Sequence, residues 1–454
     1  MDYNQFIAKK SEIAQSFGFA AVGLNEELKP HQKAIVEWAC KRGKAAIFAD
    51  TGLGKTFMQL EWGRLVARET NKPVLLLAPL AVGKQTEGEA YKFGIDAYCE
   101  YIREPSKDVE IQITNYEMLD RFNPKDFGGI ILDESSILKG QSGAYRKMIT
   151  EFATNIPYRL SCTATPSPND YMELGTQAEF LGIMSQVEML STFFTHDGSE
   201  TQKWRLKGHG VQKFWEWMAT WAVLISSPAD LGFDGSDYDL PPLIIEEEVL
   251  PSMDDSTLFA TVASGLNEAR KAKRRSLEAR VKAASEWVNS LDEPCIVWGE
   301  LNDETDLAAQ LIDGAVQVKG SDKQEKKEAH LFGFTNEDFQ TLVSKSSICG
   351  FGMNWQHSNK MAFVGPTYSF EQFYQAVRRQ WRFGQTKPVT VKVFMTEEEA
   401  GIHAIMTRKM EQDQNMRKEM IKVMRVAMQK EIFGATQDKT DYNPKTEFIA
   451  PSFL

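Results

Sequence analysis

The stretch Ala49-Asp50-Thr51-Gly52-Leu53-Gly54-Lys55-Thr56 ends in Gly-Lys-Thr, a combination suited to holding a polyphosphate. It follows an apolar run, Ala45 to Phe48, and opens a segment with helical periodicity, Thr56 to Arg68. The first turn of a helix leaves backbone N–H groups unpaired and carries a partial positive charge. Strand, glycine turn and helix in this order therefore make an anion site. Thr51, Gly52, Leu53 and Gly54 would line the cradle, Lys55 would reach the β- and γ-phosphates, and the Thr56 hydroxyl would ligate Mg²⁺. Ala49 stands where the strict pattern has glycine, and an ordinary glycine turn before a helix is the plainer alternative.

Two further groups could complete such a site. Asp133-Glu134-Ser135-Ser136 follows the apolar run Gly129 to Leu132, at a strand end where open α/β sheets bind ligands. Asp133 could hold the Mg²⁺ shell and Glu134 could polarise an attacking water. An acidic turn is common after strands, but about eighty residues downstream of a phosphate loop it forms a Walker A/Walker B pair. Ser161-Cys162-Thr163-Ala164-Thr165-Pro166 sits at another strand end, where its hydroxyls could bond those carboxylates or simply form a turn. Far downstream, Gln375, Arg379 and Arg382 recur at four and three residues, which on a helix places them on one face. Two permanent cations there suit a γ-phosphate, although a solvated basic face has the same pattern.

These groups need a scaffold. At 454 residues the chain exceeds what one core serves, which implies two or three domains. Short apolar runs alternate with helical patterns, the signature of parallel sheets covered by helices. Expected strands in the first half are Ala45 to Ala49, Val74 to Ala78, Ile111 to Thr114, Gly129 to Leu132 and Tyr158 to Cys162. In the second half they are Cys295 to Gly299, Val316 to Lys319, Thr341 to Ser344, Met361 to Val364 and Thr390 to Phe394. The expected division is a first domain over 1–240 with a Trp-rich helical segment near 181–240, a second over 241–432 with a C-terminal helix, and a tail over 433–454. Trp215 to Ile225 reads as a helix, and Leu258 to Leu291 and Glu397 to Ile432 as longer ones.

Composition narrows the classes. Hydrophobic content of 42% and charged content of 25% are those of a soluble globular protein. The longest apolar run, Pro73 to Val82, is too short to cross a bilayer, and Met1-Asp2-Tyr3-Asn4 lacks the basic start of a secretion signal. Cys40, Cys99, Cys162, Cys295 and Cys349 show no Cys-x-x-Cys spacing, which points to reduced thiols, no zinc site and a cytoplasmic location. A net charge of −11 argues against indiscriminate coating of polyanions but leaves room for one basic groove.

The ordered set Leu28-Lys29-Pro30-His31-Gln32, Gly52 to Thr56, Asp133-Glu134, Thr163-Ala164-Thr165-Pro166, Gly350 to Asn354 and Gln375 to Gln385 resembles superfamily 2 helicases and translocases. The Arg382-Phe383-Gly384-Gln385 ending, Thr114-Asn115-Tyr116-Glu117 and Ser161 to Asn169 resemble its Swi/Snf-like branch, in a compact form similar to phage or bacterial members. The resemblance spans about Leu28 to Phe394. It implies two tandem RecA-like domains with parallel sheets and an ATP site in the cleft between them. It implies that Gln32 reads adenine, with Phe17 or Phe19 stacking nearby, and that Lys55, Asp133, Glu134, Arg379 and Arg382 are catalytic. Thr56 and Asp133 then hold Mg²⁺, and Gly352 and Asn354 link nucleotide to nucleic acid. Ala78-Pro79-Leu80, Thr114-Asn115-Tyr116, Trp298 to Asp303 and Ser344 to Ser347 match segments that hold the tracking strand. The implied activity is ATP-driven translocation on nucleic acid, DNA before RNA, with a strand-separating helicase or a nucleotide-gated clamp as alternatives. Oligomeric state is open.

Besides Ala49, two departures stand out: Arg378 stands where many members of the superfamily have glycine, and the acidic box is altered. Asp-Glu-Ser-Ser replaces Asp-Glu-x-His, so the bonds of the missing histidine must come from Ser136 or elsewhere. Trp204, Trp215, Trp217 and Trp221 could stack nucleobases, or at helical spacing form core. Lys271, Lys273, Arg274 and Arg275 could contact phosphates or face water.

Overall fold

The computed structural model describes residues 17–79, 82–100, 108–139, 143–167, 171–196, 204–251, 274–349, 353–367, 369–397 and 399–433. Gly350, Phe351, Gly352, Leu80, Pro168, Asn169, Lys271, Lys273 and the tail lie outside them. The chain divides into two compact units, one running through Ser236 and resuming at Asn415, the other from Asp237 to Gln414.

The first unit is built on a seven-stranded sheet in the order β3-β4-β2-β5-β6-β1-β9. Its strands are β1 (Lys44–Ala49), β2 (Val74–Ala78), β3 (Ala97–Cys99), β4 (Ile111–Asn115), β5 (Gly129–Asp133), β6 (Tyr158–Cys162) and β9 (Ala222–Ile225). Every pairing is parallel. Parallel strands are covered on both faces, which is why they read as unbroken apolar runs, and all five residues of β2 are buried. The order brings β5, β6 and β1 side by side, with Asp133 opposite Cys162 and Ile47 opposite the same Cys162. Three loops, those after β1, β5 and β6, thus leave one edge of the sheet together.

Helix α1 (Pro30–Arg42) precedes β1, and α2 (Lys55–Thr70) follows it. The Trp-rich segment departs from expectation. Its helix α7 (Val211–Ala219) ends early, and Ala222–Ile225 is the edge strand β9, paired with β1. A four-residue apolar run has no periodicity to separate strand from helix; its place beside β1 decides. Trp215, Trp217 and Trp221 are buried, packed in edge and tilted contacts with one another, Phe193 and Phe214. These three rings are core rather than a stacking surface. A short antiparallel ribbon, β7 (Phe194–His196) with β8 (Trp204–Leu206), was not signalled by the sequence pattern.

The second unit holds a six-stranded parallel sheet in the order β10-β15-β14-β11-β13-β12. Its strands are β10 (Leu243–Leu250), β11 (Cys295–Gly299), β12 (Val316–Gln317), β13 (Thr341–Lys345), β14 (Lys360–Val364) and β15 (Val389–Thr396). The unexpected β10 contains Glu246-Glu247-Glu248, residues of poor strand propensity that an edge position tolerates. Helices α8 (Leu277–Asn289) and α9 (Asn302–Leu311) flank β11. The last helix, Ala400–Phe433, runs 34 residues; it groups with the second unit through Gln414 and with the first from Asn415.

Candidate nucleotide site

The loop between β1 and α2 turns on two glycines in the left-handed region, Gly52 at φ 91° and Gly54 at φ 80°. Gly54 is doubly constrained, because a Cβ there would lie 2.2 Å from Gln32 Nε2. Ala49, by contrast, is the last residue of β1 and is not among the positive-φ residues, so its methyl costs the loop nothing. Gly54 caps α2 without a side-chain hydrogen bond, leaving the first N–H groups of the helix to an external anion.

Lys55 Nζ donates to the carbonyls of Ala49 at 2.7 Å and Asp50 at 3.3 Å. Desolvation lowers its pKa, while the carboxylates of Glu134, Asp50 and Asp133 act in the opposite direction. Thr51 N–H is taken by Asp50 Oδ1 at 2.8 Å. Gln32 clamps the loop: its Oε1 accepts from Lys29 N–H at 2.9 Å, and its Nε2 donates to the Leu53 carbonyl at 3.1 Å. His31 beside it is buried, and desolvation pushes its pKa down to about 4.

Asp133 is held from two sides. Gln59 Nε2 donates to Asp133 Oδ1 at 2.8 Å, and the Tyr116 hydroxyl donates to the Asp133 carbonyl. Gln59 is one turn beyond Lys55 on α2, an i,i+4 relation that could have revealed it. Burial, with Asp133 and Glu134 adding to it, raises the Tyr116 pKa well above the ordinary phenol value, keeping it a donor. Glu134 itself has φ 54°, a conformation that non-glycine residues rarely adopt and that turns its side chain out of the strand direction. Thr163 Oγ1 donates to Glu134 Oε2 at 3.2 Å and accepts from Thr165 N–H at 3.0 Å. The expected hydroxyl-to-carboxylate link is therefore present at Thr163.

Ser136 contributes little, reaching only the Glu134 carbonyl at 3.5 Å. Cross-linking falls instead to Gln177, which donates to the Ser135 carbonyl at 3.0 Å and bonds the Ser161 hydroxyl. The hydroxyl of Thr56, in the first turn of α2, and the carboxylate of Asp133, at the end of β5, are hard oxygens of the kind that suits Mg²⁺, which takes few protein ligands and keeps waters. No cluster of three or more His, Cys, Asp or Glu that could hold a metal alone occurs among the described residues.

Some expected contacts are not formed. Phe17 and Phe19 pack on Tyr158 at the start of β6, and residue 18 abuts the Cys40 carbonyl near the end of α1. That is the opposite end of α1 from Gln32, so neither ring can stack on a base held there. The side chains of Thr114, Asn115 and Tyr116 are buried and cannot reach a polymer, and Trp298 and Ser344 are equally internal.

In the second unit Asn354 and Arg382 meet, Arg382 Nη1 donating to Asn354 Oδ1. Arg379 donates to the carbonyls of Gln375 and Met353, both at 3.1 Å, and to Gln375 Oε1 at 3.0 Å. The shared helical face does not form, because the helix over Phe370–Val377 stops first. Trp355 N–H takes the Arg379 carbonyl at 3.0 Å, so the chain tightens into turns in which Arg379 N–H bonds Ala376. Arg378 stacks over Trp381, 4.9 Å from its ring centre.

Residues 25–168 match the family model for the type III restriction enzyme, res subunit. No curated protein matches the chain. The chain is similar to a solved structure of the DUF1998 helicase MrfA bound to DNA, at 13% identity and TM-score 0.53, covering 88% of this chain and 52% of that one. It thus spans about half of that relative's length. It also aligns with the Sulfolobus solfataricus SWI2/SNF2 ATPase core in complex with dsDNA, at 17% identity and TM-score 0.42, over 91% of this chain and 99% of the other. The likeness at TM-score 0.53, with a parallel sheet in each unit, shows a fold of two tandem RecA-like α/β units. Among the described residues no helix is long and apolar enough to cross a membrane.

Proposed function

We propose that this chain is a nucleic-acid-dependent ATPase motor of the superfamily 2 kind that translocates on DNA, double-stranded by preference. One observation carries the hydrolytic part: Glu134 is gripped by Thr163 beside the Lys55 loop and the Asp133 carboxylate. Lys55 exchanges its loop carbonyls for the β- and γ-phosphates, and the first turn of α2, which no side chain caps, cradles them. Glu134 orients and deprotonates the attacking water. Thr56 and Asp133 would hold Mg²⁺, whose chemistry when bound would be charge neutralisation at the phosphates. Gln32 keeps one amide hydrogen and one lone pair for adenine after its two loop bonds.

Arg382, half-buried and paired with Asn354, is the stronger candidate for the γ-phosphate; Arg379 spends three donors on its own turn. Each turnover would advance the chain along one strand. The DNA assignment is supported by the DNA-bound relative, and the Swi/Snf-like assignment by Arg382-Phe383-Gly384-Gln385. A cytoplasmic setting, host cytoplasm for a phage protein, agrees with the buried free thiols of Cys40, Cys99, Cys162 and Cys295.

ATPase rates without polymer and with RNA, single-stranded DNA and duplex DNA test this directly. Duplex DNA is expected to stimulate most, with triplex displacement on the same duplex; four equal rates would leave no motor. Lys55→Ala and Glu134→Gln are expected to lower turnover roughly 10³-fold or more while the melting transition is retained. Unwinding of a forked substrate without triplex displacement would move the assignment to a strand-separating helicase. Nucleotide-dependent DNA affinity without stimulated turnover would make it a clamp.

A further inference from the structure

We propose that Arg417 is a positioning residue for Glu134, acting through the Ala164 carbonyl and the Thr163 hydroxyl. The Thr163 hydroxyl has one proton. It already accepts from Thr165 N–H, so that proton is committed to Glu134 Oε2. Thr163 and Thr165 flank the buried Ala164, and Arg417 Nη2 donates to the Ala164 carbonyl from 253 residues away. A guanidinium on this carbonyl fixes the turn that aims Thr163.

The arginine is not a loose surface group. Met420, Ile421, Met424 and Met428 are buried along the same face of its helix, at spacings of three, four, seven and eleven from Arg417. Leu224 N–H contacts Met428 Sδ at 3.3 Å, Glu431 pairs with Arg42, and Phe433 lies against Phe233 with ring centres 5.7 Å apart. Arg417 thus stands at the leading end of a docked segment. That segment is continuous with residues 400–414, which group with the second unit, so a displacement of the helix would be felt at the peptide that holds Glu134.

The proposal rests on Glu134 activating water, and the experiment separates the two. In the full chain, Arg417→Ala is expected to lower kcat about tenfold while KM for ATP and the affinity for a fluorescent ATP analogue change less than about twofold. Arg417→Lys, which keeps a cationic donor, restores much of the loss. Thr163→Val and Arg417→Ala combined are expected to cost no more than Thr163→Val alone, because both act through one hydroxyl. Met428→Ala loosens the docked helix without touching Ala164, and is expected to lower the melting temperature with a smaller effect on kcat than Arg417→Ala. Additive losses, a wild-type rate for Arg417→Ala, or an equal loss for Met428→Ala overturns the role of Arg417. Full hydrolysis by Glu134→Gln overturns the underlying assignment instead.

Discussion

Each unit contains a strand, a turn and a helix at the edge of a parallel sheet, and the two steps are finished differently. In the first, five residues separate β1 from α2, two of them glycines, and the helix starts without a side-chain cap. In the second, only Glu300 and Leu301 lie between β11 and α9. There Glu304 folds back so that its Oε2 accepts from Glu300 N–H at 2.8 Å and Leu301 N–H at 2.9 Å. Arg280 neutralises it, Nη2 donating to Glu304 Oε1 at 2.9 Å, while Nε pairs with Glu399 Oε2 at 3.2 Å; all three side chains are fully buried. A helix N-terminus attracts anions wherever it occurs. What suits one to a nucleotide is that no side chain caps it, and what makes the other a rivet is that the chain supplies its own carboxylate.

The largest effect should come from removing the internal anion. Glu304→Ala strands Arg280 in the interior and is expected to cost about 3–5 kcal/mol in urea denaturation, with Glu304→Gln milder because an acceptor remains. A loss under about 1 kcal/mol would mean that the carboxylate is no rivet and that the contrast between the steps is superficial.

An intermediate effect is expected at the open step. Gly54→Ala forces a side chain into φ 80° and against Gln32, for about 1–3 kcal/mol of stability and weaker ATP binding by calorimetry. Adding Gln32→Ala relieves the collision but not the backbone strain, so partial recovery is expected; full recovery would assign the whole penalty to the contact.

The smallest effect separates what backs the two steps. His31, behind the open step, has a folded pKa of about 4, below its unfolded value of 6.5. Between those values the unfolded chain binds the proton and the native chain does not. His31 therefore contributes stability that is complete above about pH 6.5 and is lost on acidification toward 4, at up to about 1.4 kcal/mol per pH unit. His31→Asn should flatten the fall in melting temperature across that window; His357, also lowered by burial, supplies a remainder that the variant leaves intact. An unchanged slope would remove the titratable support from the comparison.

Much of this was legible before any coordinates. The strands of both sheets that carry aliphatic runs bounded by polar turns fall within a residue or two of their expected limits, apart from the shorter β12, because parallel strands must be apolar on both faces. β3, β9, β10 and the β7–β8 ribbon escaped for separate reasons. β3 and β9 are too short to show a period, β10 carries three consecutive glutamates, and the ribbon's three-residue strands lie seven residues apart, beyond a two-residue hairpin spacing. In the site, Lys55, Thr56, Asp133 and Glu134 could be named from local motifs and Gln59 from its i,i+4 relation to Lys55, but the roles of Tyr116, Gln177 and Arg417 could not.

What the sequence alone determined was local: a glycine pair that permits a left-handed loop, an uncapped helix start, and an acid at a strand end. Each depends on backbone preferences over fewer than about ten residues, and such preferences act wherever the segment is placed. Only tertiary structure decided the partners. Gln59 reaches Asp133 across 74 residues, Thr163 reaches Glu134 across 29, and Arg417 reaches Ala164 across 253. A hydrogen bond between segments so far apart exists only once the sheet has ordered β5, β6 and β1 as neighbours and the last helix has docked. The motif shows where a triphosphate can sit. The fold determines how firmly the residue that would cleave it is held, because orientation is set by contacts that no local pattern encodes.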